Sequence, residues 1–195
     1  NEHEAEKVAA EIAFLHTARD APWSDFSILF RGNHQSRPLE KALQLLRIPY
    51  HLTGGTAFLE RQEVKDALSW LRLTVNPDDD AAFLRAVQSP KREVGATSLA
   101  KLAEMAQHAH LPMSRAAESM GALKALPPRA ANGLSAFNDI LRDLRSHAAH
   151  LPAAELVRRL SERSGLLAEL RTQCKDDASF ARRRANLDEL ADWFE

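Results

Sequence analysis

An arginine placed directly after an apolar, strand-like segment is the first feature of this sequence that points to chemistry. Residues 24–30 are short and apolar, and Pro22 and Gly32-Asn33 bound them, as is typical of a buried strand. Ligands of open α/β sheets bind beyond the carboxyl ends of the strands, where Arg31 lies. Its guanidinium can contact a phosphate oxygen bidentately and stabilise charge during phosphoryl transfer. Phe30 can offer a ring face to a base. The alternative is that Arg31 pairs with a local carboxylate and Phe30 fills a core.

The elements around Arg31 predict a small parallel unit. Leu39, Leu43 and Leu46 have helical spacing after Pro38, and residues 48–53 form a second strand-like segment before two glycines. A strand, a helix and a strand in this order predict a right-handed parallel βαβ unit. Because stable open sheets usually have about four to six strands, this unit needs partner strands that the chain does not contain.

The rest of the sequence has helical periodicity, so the expected fold class is mostly α with a small parallel βαβ unit. Helices are predicted at about 61–75, 80–88, 97–109 and 113–121, and Pro127-Pro128 is the strongest break in the pattern. We therefore expect domains at 1–127 and 128–195. Residues 129–195 are enough for only a marginal helical core, so we expect part of its apolar surface to be exposed or covered by a second copy of the chain.

Composition excludes several classes of protein. The 195 residues are 45% hydrophobic and 27% charged with a net charge of −1, so any contact to nucleic acid depends on local basic patches. No apolar run is long enough to span a membrane, and the charged N-terminus has no initiator Met or signal-peptide core. We expect a cytoplasmic piece of a longer protein. The single cysteine, Cys174, is expected to be a free structural thiol.

The sequence lacks the motifs of a complete nucleotide or metal site. The eight histidines have no accompanying Cys or HExxH spacing, which predicts no metal site. GxxxxGK[ST], GxGxxG and GxSxG are absent from the sequence, so any phosphate-binding loop must lie elsewhere.

Residues 30–37, FRGNHQSR, resemble the motif IV segment (Y/F)R-x-N-x-Q-S-R of the UvrD/Rep family of superfamily 1 DNA helicases. The resemblance is strongest up to about residue 105, and further segments agree in order and spacing: IPY at 48–50, GGTAF at 54–58, RQEVKD at 61–66, NPDDDAAFLR at 76–85 and PKREVG at 90–95. It implies that residues 1–127 are the first part of an incomplete, second RecA-like domain. It also implies that residues 128–195 begin a helical accessory domain inserted in it.

The resemblance implies ATP hydrolysis that drives 3′ to 5′ movement on single-stranded and forked DNA. Arg31 matches the arginine that contacts the γ-phosphate, and Phe30 matches a position, often Tyr, that stacks on adenine. Gln35 and Arg37 also match the motif, either as nucleotide contacts or as groups that brace Arg31. The family's Mg²⁺ ligands lie outside this chain, and the first RecA-like domain of the same polypeptide is the implied partner.

Candidate DNA contacts are spread along the chain. They are Thr56, Arg61, Lys91, Arg92, Arg182, Arg183 and Arg184. Each has an alternative role: a tight turn with a helix cap for Thr56, a solvated face shared with Glu60 and Glu63 for Arg61, an interdomain salt bridge for Lys91 and Arg92, and a solvated charge run for the three arginines. The competing functional hypothesis is a helical DNA-binding or protein-binding module with no ATP role, in which Arg31 is structural.

Overall fold

The computed structural model describes residues 2–30, 35–52 and 58–194, and this part of the chain is mostly helical. Two short 3₁₀ turns, Trp23–Asp25 and Phe58–Glu60, interrupt a series of α-helices. The helices are α1 (Glu2–Arg19), α2 (Ser36–Leu45), α3 (Gln62–Val75), α4 (Asp80–Ala86), α5 (Ala96–Ala109), α6 (Met113–Ala117), α7 (Met120–Ala125), α8 (Pro128–Ala148), α9 (Ala153–Arg163), α10 (Leu166–Gln173) and α11 (Asp177–Asp192). In the described residues, no helix is long and apolar enough to cross a membrane.

The first of two compact units ends at Arg61, and its core is formed by α1 and α2. Small residues of α1 allow the two helices to approach closely, since Ala5 and Ala9 are buried against the cluster that includes Leu43. The segments 26–30 and 48–52 add apolar side chains to this cluster. Their burial alternates along the chain, with every second residue turned towards the core.

The predicted βαβ unit is not seen. The helix is present as α2, but the described residues contain no paired strand, and segments 26–30 and 48–52 are extended without a ladder between them. Alternating burial gives these segments the side-chain pattern of strands. A ladder also requires main-chain hydrogen bonds between neighbouring strands, and among the described residues no such bond joins the two segments.

The second compact unit runs from Gln62 onwards and is built around α3. This helix contacts α4, α8, α9, α10 and α11. Three rings form the centre of the core: the Phe137 centroid lies 4.7 Å from that of Trp70 and 5.6 Å, edge on, from that of Phe83. Several helices begin at side-chain caps, as where Asp79 accepts a hydrogen bond from the Ala82 N–H at the start of α4.

The boundary between the compact units differs from the one expected at Pro127-Pro128. Pro128 is the first residue of α8, where its fixed φ favours helix initiation. Because α8 packs on both α7 and α3, the residues on both sides of the proline pair belong to one unit. The Pro-Pro signal therefore marks a helix start, and the division between compact units falls between Arg61 and Gln62.

The apolar surface expected to be exposed on residues 129–195 is largely buried. The apolar residues that predicted the bundle are each at most 7% exposed: Leu134, Phe137, Leu141, Leu156, Leu160, Leu187 and Leu190. Helix α3 buries this apolar surface, since it packs against α8, α9 and α11. The expectation was wrong because it treated residues 129–195 as a separate bundle.

Gly133 in α8 lies so close to the backbone at Arg92 that a side chain has no room there. Substituting Gly133 should therefore destabilise the second unit. A Cβ at this position would overlap the carbonyl oxygen of Arg92 and lie 3.2 Å from Val94 Cγ2. We expect Gly133→Ala to lower the free energy of unfolding by about 1–3 kcal/mol, as overpacking does in other cores. Urea denaturation measures the change.

Gly121 in α7 is the matched control, because a Cβ there would meet no atom within 4 Å. Gly121→Ala should leave stability unchanged or raise it by up to about 1 kcal/mol, through the higher helix propensity of alanine. Equal effects of the two substitutions would contradict the close approach at Gly133.

Candidate functional site

Four residues of the segment that resembles motif IV are described: Phe30, Gln35, Ser36 and Arg37. Phe30 is the last described residue of segment 26–30, half-buried, and lines a cavity of about 560 Å³ in the first unit. Gln35 is exposed at the N-cap of α2, and Arg37 is half-buried in its first turn. Arg31 lies outside the described residues. The nucleotide roles of Phe30, Arg31, Gln35 and Arg37 stay predictions.

Glu40 is a buried carboxylate in the wall of the same cavity. It is 2% exposed, and its Oε2 accepts hydrogen bonds from the Phe58 N–H at 2.7 Å and from the Tyr50 hydroxyl at 3.2 Å. Burial, and then the negative charge of Glu40, raise the pKa of Tyr50, so the hydroxyl stays protonated and donates. Glu40 thus anchors the turn Phe58–Glu60 to α2. Sequence reasoning did not identify this residue.

Two of the candidate DNA contacts lie near the end of the first unit. Thr56 is outside the described residues. Arg61 is half-buried, and its guanidinium carbon lies 5.6 Å from the centroid of the Phe58 ring, within cation–π range. A contact of Arg61 with DNA stays a prediction.

Arg92 is held inside the second unit. Its Nη1 donates to the Pro90 carbonyl and its Nη2 to the Ser164 carbonyl, each at 2.6 Å, while the guanidinium carbon lies 4.8 Å from the Trp70 ring centroid. Burial lowers the pKa of Arg92 to about 10, against the opposing effect of the Glu169 charge, so the group remains charged at neutral pH. These contacts favour a structural role for Arg92 over the predicted contact with DNA. The neighbouring Lys91 side chain is exposed.

The three consecutive arginines of α11 have different environments. Arg183 Nε donates to Glu63 Oε2 at 2.9 Å, and Asn186 Nδ2 donates to Glu63 Oε1 at 2.5 Å. Arg182 and Arg184 are exposed. Arg184 makes a loose ion pair, with its Nε 3.9 Å from Asp188 Oδ2. Arg183 therefore ties α11 to α3, which favours a structural role for it, and only its two neighbours are placed to meet a large ligand.

Glu63 was assigned to a solvated face with Glu60, and this interpretation is wrong for Glu63. Its side chain is buried, at 5% relative exposure. Burial opposes ionisation, but the hydrogen bonds from Asn186 and from its own backbone N–H, together with Arg183, outweigh it and lower the pKa of Glu63. No local signal separates Glu63 from an exposed glutamate, because both of its side-chain partners are more than 100 residues away in sequence.

A second buried carboxylate joins α3 to α4. Asp66 Oδ1 accepts from Arg85 Nε at 2.7 Å, and Asp66 Oδ2 accepts from the Ser89 hydroxyl at 2.7 Å. Trp70 Nε1 donates to the Ser89 carbonyl at 3.0 Å. The segments 61–66 and 76–85, which carried part of the resemblance, thus contribute buried cross-links between helices. Within the described residues, no group of three His, Cys, Asp or Glu side chains is arranged to hold a metal ion.

The sequence profile of the UvrD-like helicase C-terminal domain matches residues 1–120. The chain belongs to the UvrD-like helicase family. It is 44% identical over 153 residues to the ATP-dependent DNA helicase Rep of Escherichia coli K12, a match that covers 78% of this chain and 23% of that protein. It is 36% identical over 187 residues to the ATP-dependent DNA helicase PcrA of Bacillus subtilis 168, covering 96% and 25%.

DNA helicase II of Escherichia coli K12 is also similar to this UvrD-like chain. The two are 40% identical over 143 residues, which is 73% of this chain and 20% of the relative. The chain therefore spans about a quarter of the length of the curated relatives it matches.

Proposed function

We propose that this chain is part of an ATP-dependent DNA helicase that moves 3′ to 5′ along single-stranded DNA and unwinds forked DNA in replication or repair. The observation that carries the proposal is the match of the UvrD-like helicase C-terminal domain to residues 1–120, which includes the whole first unit and nearly half of the second. Relatives at 36–44% identity are named ATP-dependent DNA helicases. A module without an ATP role is therefore less well supported.

The compact units suggest how the helicase domains divide within this chain. We assign the residues up to Arg61 to the second RecA-like motor domain and the residues from Gln62 onwards to its helical accessory domain. This division moves the expected boundary from Pro127-Pro128 to the border between the two compact units, at Arg61 and Gln62. The motif segment 30–37 then belongs to the motor part. The proposed partner of this part is the first RecA-like domain of the same polypeptide.

ATP is the proposed nucleotide, with Mg²⁺ held by residues outside this chain. Arg31 is the proposed contact to the γ-phosphate, and Phe30 the proposed ring beside the base. Gln35 and Arg37 are the proposed supporting residues of the same segment. A cytoplasmic location is part of the same proposal.

Fewer residues are proposed to contact DNA than the sequence alone suggested. Arg182, Arg184 and Lys91 are exposed cations of the accessory part and can reach phosphates. Thr56 and Arg61 remain candidates in the motor part. Arg92 and Arg183 are left out, because their guanidinium groups already bind carbonyl and carboxylate oxygens of the protein.

The functional proposal predicts a contrast between this chain and the longer protein. The full-length gene product should hydrolyse ATP in response to single-stranded DNA and separate a forked duplex with a 3′ tail. The 195-residue chain alone should do neither, because it contains no GxxxxGK[ST] loop. Steady-state ATPase and strand-separation assays measure both. A full-length product without DNA-stimulated ATPase would contradict the proposal.

Charge reversal of the exposed arginines tests the accessory contact. In the full-length protein, Arg182→Glu with Arg184→Glu should weaken binding to a forked duplex. The slope of log affinity against log salt should become shallower by about one unit for each phosphate that the variant no longer binds. Fluorescence anisotropy over a range of salt concentrations gives the slope.

Arg129→Glu is the control, since Arg129 is an exposed arginine at the start of α8 and undergoes the same charge reversal as each of the two arginines. We expect it to leave the salt slope unchanged. A slope that the α11 double variant also leaves unchanged would show that Arg182 and Arg184 are only solvated charges.

A further inference from the structure

The turn Phe58–Glu60 is held in place by a buried side chain of α2. The first N–H groups of a helical turn have no partner within the turn, so a buried one needs an acceptor from elsewhere in the protein. Phe58 is fully buried, and its N–H donates to Glu40 Oε2 at 2.7 Å, a short distance for such a bond. Glu40 therefore fixes the position of this turn relative to α2.

The same turn orients Arg61, one of the candidate DNA contacts. The main-chain N–H of Arg61 donates to the Phe58 carbonyl at 3.2 Å, and the guanidinium carbon lies 5.6 Å from the centroid of the Phe58 ring. The ring has no exposed surface, whereas the Arg61 side chain is half-buried and reaches solvent. The direction of the guanidinium thus depends on Phe58 and, through the Phe58 N–H, on Glu40.

Helix α2 joins this support to the segment that resembles motif IV. Gln35 is the N-cap residue of the helix, and Arg37 lies in its first turn. Glu40 follows Arg37 by three residues, which places the two on one helix face. A helix is a rigid element, so a displacement of its first turn moves Glu40 as well.

We propose that Glu40 is a positioning residue of the helicase. It holds Phe58 so that Arg61 meets a phosphate of single-stranded DNA, and through α2 it links this contact to the proposed nucleotide segment. The inference rests on the proposed function, which supplies both ends of the link. Glu40 itself contacts neither ATP nor DNA, so its substitution acts through the orientation of Arg61.

A double-mutant cycle in the full-length gene product tests the step from Glu40 to Arg61. Arg61→Ala should weaken binding of single-stranded DNA and make the slope of log affinity against log salt shallower by about 0.7, the value for one phosphate of a single strand. Glu40→Met, which fills a similar volume without an acceptor, should give most of this change although Arg61 is present. The double variant should lose no more than Arg61→Ala alone. Losses that add in the double variant overturn the proposal.

Three further variants separate positioning from a general loss of structure. Glu40→Gln keeps an oxygen for the Phe58 N–H, and Tyr50→Phe removes only the other hydrogen bond to Glu40 Oε2, so both should keep the wild-type salt slope. Phe58→Leu keeps the N–H but removes the ring beside the guanidinium, and it should reproduce the shallower slope whether or not Glu40→Met folds. A wild-type slope in Phe58→Leu, or a shallower slope in Glu40→Gln or Tyr50→Phe, overturns the proposal.

The link through α2 is measured by the ratio of the dissociation constants for single-stranded DNA with and without AMP-PNP, a non-hydrolysable analogue of ATP. Coupling between two binding sites typically changes affinity by about fivefold or more, and it is reciprocal. We expect a ratio that differs from one by at least about fivefold in the wild type and lies near one in Glu40→Met. Weaker binding of DNA with an unchanged ratio overturns the link.

Failure of this inference can be distinguished from failure of the proposed function. A wild-type gene product that neither binds single-stranded DNA nor hydrolyses ATP in response to it overturns the helicase proposal, and the role of Glu40 with it. A wild-type product with both activities, combined with additive losses in the double-mutant cycle, overturns only the role of Glu40.

Discussion

Arg183→Ala should lower the free energy of unfolding of the second unit by about 3 kcal/mol, the typical cost of removing one partner of a buried ion pair. Arg183 is the cation that faces Glu63, whose side chain is only 6% exposed. Without Arg183 the carboxylate keeps the hydrogen bond from Asn186 but loses the counter-charge beside its buried side chain. Urea denaturation followed by circular dichroism measures the decrease in stability.

Arg184→Ala is the matched control, because it removes the next arginine of the same helix. Arg184 and Asp188 are each about 60% exposed and 3.9 Å apart at their closest atoms. Exposed pairs of this kind typically contribute about 0–1 kcal/mol, so this variant should remain near the wild-type stability. Similar decreases in both variants would mean that α11 is sensitive to any substitution. The ion pair with Glu63 would then not be the cause.

The pH dependence of stability gives a second view of the same pair. The pKa of Glu63 is lowered in the folded protein from its ordinary value of about 4.5. A lowered folded pKa means that the stabilisation is complete above about pH 4.5 and is lost as the pH falls through the folded value. Asp79 and Asp143 also have lowered pKa values and act in the same direction. The free energy of unfolding should therefore be measured against pH for wild type and for Glu63→Gln. The difference between the two curves gives the contribution of Glu63.

The helices could be predicted from the sequence because their signals are local. The spacing of Leu134, Phe137 and Leu141 predicted a helix, and the structure confirms it, whereas the burial of its apolar face within the same chain was not predicted. The roles of individual charges were not predictable in this way. Glu63 and Arg183 are 120 residues apart, and neither has a neighbour in sequence that indicates a buried pair.

The two extended segments show a different limit of sequence reasoning. The apolar character of residues 24–30 and 48–53 predicted strands, but the described residues of both segments form no paired strand, since local character carries no information on which edges pair. The predicted βαβ unit was expected to need further partner strands, so the two segments alone were not expected to complete a sheet. In the described residues they instead line a shared cavity, so the pairing partners are set by chain topology and not by local pattern.

If Arg31 contacts the γ-phosphate as proposed, Arg31→Ala in the full-length gene product should lower kcat for DNA-stimulated ATP hydrolysis by roughly 10³-fold, with a smaller change in ATP affinity. The reason is that an arginine beside the γ-phosphate interacts more strongly with the charge of the transition state than with bound ATP. Arg31→Lys should restore little activity, because an ammonium group cannot reproduce the bidentate contact of a guanidinium. Single-turnover hydrolysis and nucleotide-binding titrations separate the two effects.

The binding of single-stranded DNA by the same variant decides between two roles for Arg31. A guanidinium can bind a phosphate of ATP or a phosphate of DNA, since both present the same oxygens. If Arg31 contacts ATP, the variant should bind single-stranded DNA with unchanged affinity. The slope of log affinity against log salt should also stay unchanged. If the variant instead binds DNA more weakly, with a slope shallower by about one unit, and hydrolyses ATP normally at saturating DNA, Arg31 is a DNA contact and the γ-phosphate assignment is wrong.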